Sequence, residues 1–152
     1  MTRGRLVESE ADLVRIAREM RTVAVVGIKD ANEPDAAAYD VPFMLAESGV
    51  EVIGVNPRVK QALGRPTLAR VADLASAPDV IDVFRRSSAI PELADELLAL
   101  PAALRAPVVW LQTGIRHDEA AERLVDGGYN VVQDRCLGVY RRRALRSYTA
   151  RP

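Results

Sequence analysis

The sequence is short of the features that mark secreted, membrane and nucleic-acid-binding proteins. Its one cysteine, Cys136, cannot form an internal disulfide, which agrees with a reducing compartment. Residues 1–20 are charged throughout and lack the apolar segment of a secretory signal, and no apolar run is long enough to span a bilayer. Lys and Arg together number 21, as do Asp and Glu, so no overall basic field attracts nucleic acid. We therefore expect a cytoplasmic protein that binds neither membranes nor nucleic acid.

What the chain does contain is a repeated unit, an apolar strand followed by a polar turn. The first unit lies at residues 22–29, where four consecutive apolar residues indicate a strand buried on both faces of a parallel sheet. Similar runs follow at 50–55, 80–84, 108–111 and 130–133. Their spacing leaves room for a strand, a crossover helix and two loops, which predicts repeated βα units.

Helical patterns separate most of these strands. Ser9 is predicted to cap a first helix, and a second is predicted to begin near Tyr39 with Pro42 in its first turn. Further helices are predicted at 91–100, 118–127 and 137–148, whereas 59–78 predicts a loop with one short helix. The expected fold is one α/β domain over residues 1–152, a Rossmann-like doubly wound parallel sheet of five strands in the order 3-2-1-4-5, with helices on both faces.

Ligands of an open parallel sheet bind beyond the carboxyl ends of its strands. Four of the five loops at that edge carry Lys or Arg within two residues of the strand end, and phosphate groups are common ligands there. We therefore expect a phosphate-bearing ligand at these loop residues: Gly27, Ile28, Lys29, Asn56, Pro57, Arg58, Arg85, Arg86, Gln112, Thr113, Gly114, Asp134 and Arg135.

The loops do not carry the usual signals for NAD. The turn after the first strand has one glycine, Gly27, instead of the G-x-G-x-x-G pattern, and the second strand ends in Asn56-Pro57-Arg58 without the acid that holds the ribose. Arg58 suits an additional phosphate on the ribose. NADP and coenzyme A both remain open on this reasoning.

A series of motifs narrows this choice. It consists of VVG at 25–27, YDVP at 39–42, VNPR at 55–58, DVFR at 82–85, and the pair VWLQTG at 109–114 and DRC at 134–136. In this order the motifs resemble the small stand-alone CoA-binding proteins, which are similar to the amino-terminal, Rossmann-like domain of the succinyl-CoA synthetase α subunit.

The resemblance implies coenzyme A or an acyl-CoA as the cofactor, with Gly27 at the CoA phosphates and Arg58 near the adenosine. One departure is Ala38, where many relatives have a serine before the tyrosine. The cofactor-binding residues predicted on this basis are Gly27, Ile28, Lys29, Tyr39, Asn56, Pro57, Arg58, Phe84, Arg85, Arg86, Gln112, Thr113, Gly114 and Arg135.

We expect non-covalent binding without catalysis. The synthetases need a second domain with a phosphorylated histidine, which these residues do not include, and the pocket loops hold no Ser/His/Asp set or metal-ligand cluster. The alternative functions are an NADP-dependent oxidoreductase and a nucleotide-binding regulatory subunit. Whether the protein forms a homo-oligomer or binds a partner enzyme is left open.

Several other residues have both a functional and a structural interpretation. His117 is interpreted as a residue at a helix start and Trp110 as core. Cys136 is interpreted as a small buried residue, although a mixed disulfide with CoA is a second hypothesis. Asp82, inside a strand, is expected to accept hydrogen bonds from loop amides, and the arginines at 141–143 are expected to form a solvated face or an interface.

Overall fold

The structure is a computed structural model that describes residues 2–33 and 36–149. Within these residues the chain forms a five-stranded parallel sheet and a two-stranded hairpin. In chain order the strands are β1 (Thr22–Val26), β2 (Glu51–Val55), β3 (Gln61–Ala62), β4 (Arg65–Pro66), β5 (Val80–Val83), β6 (Val108–Leu111) and β7 (Asn130–Val132). The α-helices are α1 (Glu10–Glu19), α2 (Ala37–Glu47), α3 (Ile90–Leu98), α4 (Asp118–Asp126) and α5 (Leu137–Thr149). In the described part of the chain, no helix combines the length and apolarity that crossing a membrane requires.

The apolar strands are buried on both faces. Every residue of β5 and β6 is buried, as are the last four residues of β1. Helices α3 and α4 cover one face and pack on it through side chains that include Leu93 and Leu124. Helices α1, α2 and α5 cover the other face through Leu13, Leu45 and Leu137. The predicted Rossmann-like α/β class, with helices on both faces, is confirmed.

The strand order is β2-β1-β5-β6-β7, which is consistent with a Rossmann-like sheet. It differs from the predicted 3-2-1-4-5 order in one respect, because the third long strand, β5, lies beside β1 and not outside β2. The physical reason lies in residues 59–78, which form the hairpin and a 3-10 turn instead of a crossover helix. Leu68 then makes a parallel bridge to Val55, so a short extended segment occupies the position outside β2.

The hairpin itself was not predicted, because its turn carries an unusual residue. Leu63 and Gly64 have φ values of 52° and 74°, and positive φ at both central residues is typical of a tight hairpin turn. Leucine seldom adopts such a value, and the sequence offers no Asn-Gly signal. The predicted short helix is present as a 3-10 turn at Val71–Asp73.

The other predicted helices are present. The Ser9 hydroxyl accepts a hydrogen bond from the amide of Asp12 at 3.2 Å and caps α1, as the sequence predicts. Helices α3, α4 and α5 match the segments predicted at 91–100, 118–127 and 137–148.

Helix α2 differs from its prediction at its start. It begins at Ala37 and not near Tyr39, so Pro42 lies inside the helix. A proline has no amide hydrogen to donate to the carbonyl four residues earlier, which here belongs to Ala38. That carbonyl accepts a hydrogen bond from the amide of Lys29 at 3.0 Å instead. The proline therefore leaves an acceptor that ties the loop after β1 to α2.

Candidate functional site

A cavity of about 790 Å³ opens at the carboxyl edge of the sheet, where β1 lies between β2 and β5. The chain leaves β1 for β2 on one side of it and reaches β5 on the other, and such a reversal is the usual ligand position in an open parallel sheet. The cavity lies on the face that α3 covers. Three strand ends, the segment after the hairpin and α3 supply its lining, which consists of Val26, Gly27, Lys29, Val55, Asn56, Pro57, Arg58, Ala69, Arg70, Val71, Phe84, Arg85, Arg86, Ala89, Glu92, Leu93 and Glu96.

Gly27 allows the loops after β1 and β5 to approach each other. Its φ is +88°, in a region that favours glycine. A Cβ at this position would lie 2.3 Å from the carbonyl oxygen of Phe84, so any other residue would displace the backbone. The Gly27 amide donates to the carbonyl of Val55 at 2.8 Å, and the Phe84 amide donates to the carbonyl of Val26 at the same distance. These contacts join three strand ends at the cavity.

Asn56 fixes the loop after β2 in the same way. Its side-chain amide donates to the carbonyl of Ile28 at 2.9 Å, and its side-chain oxygen accepts from the amide of Arg58 at 2.9 Å. The two hydrogen bonds of the Asn56 side chain therefore position the loops after β1 and β2. The Arg58 side chain extends from the turn that these bonds hold.

Three arginines at the cavity have no partner of opposite charge in the part of the chain that the structure describes. Arg58 follows β2, and Arg85 and Arg86 follow β5. Within residues 2–33 and 36–149, none of the three guanidinium groups forms an ion pair or a side-chain hydrogen bond. Arg85 is half-buried and the other two are exposed. The cavity therefore holds positive charge on both sides of Gly27 that the protein itself does not neutralise.

Two further cations at the cavity are paired. The Lys29 ammonium lies 2.9 Å from a carboxylate oxygen of Glu33, and the Arg70 guanidinium lies 3.9 Å from Glu96. The side chains of Lys29 and Arg70 are largely exposed, so these ion pairs are weak. A ligand anion can therefore compete with Glu33 and Glu96 for the two cations. Glu92 and Glu96 bring two carboxylates to the lining from α3.

Sequence reasoning missed Arg70, Glu92 and Glu96. Arg70 lies at the carboxyl edge of the sheet because Leu68 makes a bridge to β2. No local sequence pattern predicts this contact. The two glutamates could have been found, because they lie four residues apart on a helix that was predicted, and such residues share one face.

The structure brings together eight of the fourteen predicted cofactor-binding residues, which are Gly27, Lys29, Asn56, Pro57, Arg58, Phe84, Arg85 and Arg86. Two others, Ile28 and Tyr39, do not line the cavity. Ile28 is buried beneath the loop, and the Tyr39 ring lies 5.9 Å from the ring of Phe43 on α2.

The remaining four, Gln112, Thr113, Gly114 and Arg135, lie on the loops after β6 and β7. The Gln112 side-chain oxygen accepts from the amide of Leu137 at 2.8 Å, and the Gly114 amide donates to the carboxylate of Asp134 at 2.6 Å. The loops after β6 and β7 therefore bind each other. Ligand contact by these four residues stays a prediction.

The structural interpretations of His117 and Trp110 agree with the structure. His117 is the N-cap of α4, and its Nδ1 atom accepts a hydrogen bond from the amide of Ala120 at 3.1 Å. Trp110 is fully buried, and its indole N–H donates to the carbonyl of Arg135 at 2.9 Å. Cys136 is half-buried and lies outside the cavity lining.

Asp82 does not behave as expected. It is fully buried in β5 beside Val25 and Trp110, and neither carboxyl oxygen has a hydrogen-bond partner among the described residues. The expectation that loop amides would satisfy it is wrong, because its position in the middle of the sheet keeps it away from them. Burial raises the pKa of this carboxyl well above its usual range.

Two of the arginines at 141–143, Arg141 and Arg143, contact other helices, and the expectation of a solvated face is wrong for the buried Arg141. The buried Arg141 guanidinium donates to the carbonyls of Ala17 and Arg18 and of Ser48 at 2.9–3.1 Å, at the ends of α1 and α2. Arg143 pairs with Glu10 at 3.1 Å. No group of His, Cys, Asp or Glu suited to a metal ion occurs among the described residues.

Known sequences resemble this chain over most of its length. The profile of a family described as CoA binding domain matches residues 21–142. An uncharacterized protein of Bacillus subtilis (strain 168), YneT, is 34% identical over 131 residues, which are 86% of this chain and 93% of that protein.

Solved structures show the same fold. A Thermus thermophilus protein designated cell-free ID.343 is 37% identical, with a TM-score of 0.81, over 90% of this chain and 99% of that one. A hypothetical protein from Pyrococcus horikoshii OT3 is 27% identical, with a TM-score of 0.79, over 95% and 99% of the two chains.

Proposed function

This chain belongs to the CoA binding domain family, and on that premise we propose that it binds coenzyme A non-covalently and acts as a stand-alone binding protein without catalysis of its own. The ligand carries a diphosphate and a separate ribose phosphate, and therefore needs cations at more than one place. The cavity offers them at the ends of β2 and β5.

The observation that carries the proposal is the set of unpaired guanidinium groups of Arg58, Arg85 and Arg86. Charged groups without a partner in the protein are available to phosphate oxygens, and arginine binds phosphate with two parallel hydrogen bonds. Arg58 is assigned to the ribose phosphate because it follows β2, where the adenosine of a Rossmann ligand lies. Arg85 and Arg86 are assigned to the diphosphate.

The absence of a side chain at Gly27 supports the same arrangement. In Rossmann turns a glycine at this place lets the backbone approach a pyrophosphate. A Cβ at this position would lie 2.3 Å from the Phe84 carbonyl oxygen, so glycine also lets the loops after β1 and β5 approach each other. The diphosphate is assigned to the space above this turn.

The proposal of binding without catalysis has its support in the lining residues. Their side chains include no serine, cysteine or histidine, which are the usual nucleophiles and general bases. The lining carboxylates, Glu92 and Glu96, lie on α3, and Glu96 already faces Arg70 at 3.9 Å.

Calorimetric titration of nucleotide-stripped protein with CoA, dephospho-CoA, NADP and NAD tests the proposal. Saturable binding of CoA, weaker binding of dephospho-CoA and little binding of NADP or NAD are expected. NADP binding tighter than CoA binding would favour the oxidoreductase alternative, since Arg58 would equally suit a 2′-phosphate. No binding of any of the four would contradict the proposal.

A further inference from the structure

One end of the cavity lies beyond the loop after β2. Leu68 makes a bridge to Val55, and its carbonyl accepts a hydrogen bond from the Asn56 amide at 2.8 Å. The residues that follow Leu68 therefore line the cavity on the outer side of β2, and α3 supplies the facing residues. We call this part of the cavity the outer end, and its residues are Ala69, Arg70, Val71, Leu93 and Glu96.

The outer end combines an apolar surface with one cation and one anion. Val71 and Leu93 belong to the same apolar cluster. The Arg70 guanidinium lies 3.9 Å from the carboxylate of Glu96, which is too far for a hydrogen bond. The carboxylate of Asp73 accepts from the Arg70 amide at 3.1 Å and fixes the backbone there. The outer end therefore presents a hydrogen-bond donor and an acceptor side by side, next to apolar side chains.

The carboxylate of Glu96 needs an explanation in a cavity assigned to phosphates. A negative charge there repels a polyanionic ligand, unless it accepts a hydrogen bond from that ligand. In Rossmann-type sites the adenosine ribose lies at the end of the second strand, where Arg58 is assigned to the ribose phosphate. The diphosphate is assigned to Gly27, so the base extends from the ribose in the other direction, towards the outer end.

We propose that the outer end binds the adenine ring of the ligand, with Glu96 accepting from the 6-amino group and Arg70 donating to N1. This inference rests on the proposed function and names the residues that select the base. The amino group and N1 are a donor and an acceptor on one edge of adenine, and proteins recognise bases through such edges. Guanine has a carbonyl oxygen in place of the amino group, and this oxygen would face the carboxylate of Glu96.

Calorimetric titration with CoA and 1,N⁶-etheno-CoA, compared as the ratio of the two dissociation constants, tests the inference. The etheno bridge joins N1 to the 6-amino nitrogen and removes both hydrogen bonds, while the phosphates, the ribose and the pantetheine stay the same. CoA is expected to bind roughly tenfold more tightly than etheno-CoA, the effect of a hydrogen bond to a charged group.

Two variants of the outer end distinguish lost hydrogen bonds from the bulk of the etheno bridge. Glu96→Met removes the acceptor at similar size, and Arg70→Met removes the donor. Each is expected to weaken CoA binding severalfold and to lower the ratio towards one, whereas steric hindrance alone would leave the ratio high. For Glu96→Met the expected sign is informative, because loss of a negative charge without a ligand contact would strengthen the binding of a polyanion.

Asp95→Met is the matched control for Glu96→Met. Asp95 is the neighbouring residue on α3 and its loss changes the net charge equally, but it pairs with Arg123 of α4 and lies outside the cavity lining. This variant is expected to preserve both the CoA affinity and the ratio. A ratio that falls equally in Asp95→Met and Glu96→Met would contradict a direct contact between Glu96 and the base.

The outcomes separate this inference from the proposed function. Equal binding of CoA and etheno-CoA by the unsubstituted protein, or an unchanged ratio in both outer-end variants, overturns the inference and leaves CoA binding in place. An equal loss of affinity for both ligands in Glu96→Met would assign the carboxylate to a ribose hydroxyl and contradict the base contact. Absence of CoA binding by the unsubstituted protein overturns both the inference and the proposed function.

Discussion

The two halves of the carboxyl edge of the sheet are built from similar loops and differ in what those loops bind. The loops after β1, β2 and β5, the cavity half, carry the unpaired Arg58, Arg85 and Arg86. The loops after β6 and β7, the closed half, bind each other: the Gly114 amide donates to Asp134 at 2.6 Å. Guanidinium groups without a carboxylate partner among the described residues are concentrated in the cavity half, and the closed half adds one, Arg135, which contacts the carbonyl of Asp134 at 3.5 Å.

The same contrast holds for single side chains. In the closed half, the Arg116 guanidinium lies 3.0 Å from the carboxylate of Asp118, and the side-chain oxygen of Gln112 accepts from the Leu137 amide. A phosphate there would have to displace a partner that is already present, whereas it would meet the arginines of the cavity half with only water to displace. Loop position identifies the edge, but the local hydrogen bonds decide which half binds.

The largest expected effect comes from breaking the cavity half at Gly27. Gly27→Ala forces a positive φ on alanine and places a Cβ 2.3 Å from the Phe84 carbonyl. Together these effects are expected to lower the free energy of unfolding by about 2–5 kcal/mol and to abolish CoA binding. Urea denaturation measures the free energy of unfolding, and calorimetry measures the affinity for CoA.

Gly114 is the matched control for Gly27 in the closed half. Its φ is +82°, but an added Cβ would meet nothing within 4 Å. Gly114→Ala is therefore expected to cost only about 1–2 kcal/mol and to leave CoA binding unchanged. Equal losses of binding in the two variants would contradict the distinction between the halves.

Removal of one unpaired charge is expected to have the next largest effect. Arg58→Ala should weaken CoA binding by about 1–3 kcal/mol, the range for a hydrogen bond to a charged group, and should weaken dephospho-CoA binding much less. Arg116→Ala, which removes a paired arginine of the closed half, should change neither affinity. An equal loss for CoA and dephospho-CoA would place Arg58 away from the ribose phosphate.

Asp82 tests whether a titratable side chain without a hydrogen-bond partner is always part of a ligand site. It has no hydrogen-bond partner among the described residues, but it is buried in β5, below the loop that carries Arg85 and Arg86. The unfolded chain loses this proton above about pH 4, whereas the folded protein keeps it because burial raises the pKa of the carboxyl. The unfolded state then binds fewer protons, so the free energy of unfolding falls by about 1.4 kcal/mol per pH unit until the folded pKa is reached.

Asp82→Asn should remove this slope. Urea denaturation between pH 5 and 7 should show a flatter dependence and a more stable protein at the upper end, while the CoA affinity stays the same. A slope identical to that of the unsubstituted protein would mean that the Asp82 carboxyl ionises equally in both states.

The sequence predicts those parts of the fold that depend on local patterns. Uninterrupted apolar runs predict five buried strands, and Ser9 predicts the start of α1, because burial and capping depend on neighbouring residues. The strand order could not be predicted, since it depends on the Leu63–Gly64 turn and on a bridge from Leu68 to Val55. These are a rare leucine conformation and a contact between separate segments.

The candidate site divides in the same way. Arg58 and Arg85 were predicted because they directly follow strands. Arg70 was missed, because its place at the cavity depends on the unpredicted hairpin. The sequence also does not reveal that Asp134 accepts the Gly114 amide, and ligand contact by the closed half stays a prediction.

The smallest expected effect concerns the contact between the loop after β1, in the cavity half, and helix α2. Pro42→Ala restores an amide that competes with Lys29 for the Ala38 carbonyl. Loss of that loop contact is expected to weaken CoA binding by about 0.5–1.5 kcal/mol. At the same time, alanine should increase the stability of α2, since proline is unfavourable inside a helix. Calorimetry should therefore show weaker CoA binding, while thermal denaturation shows a higher melting temperature. A loss of both affinity and stability would show that Pro42 acts through the stability of the fold and not through the loop after β1.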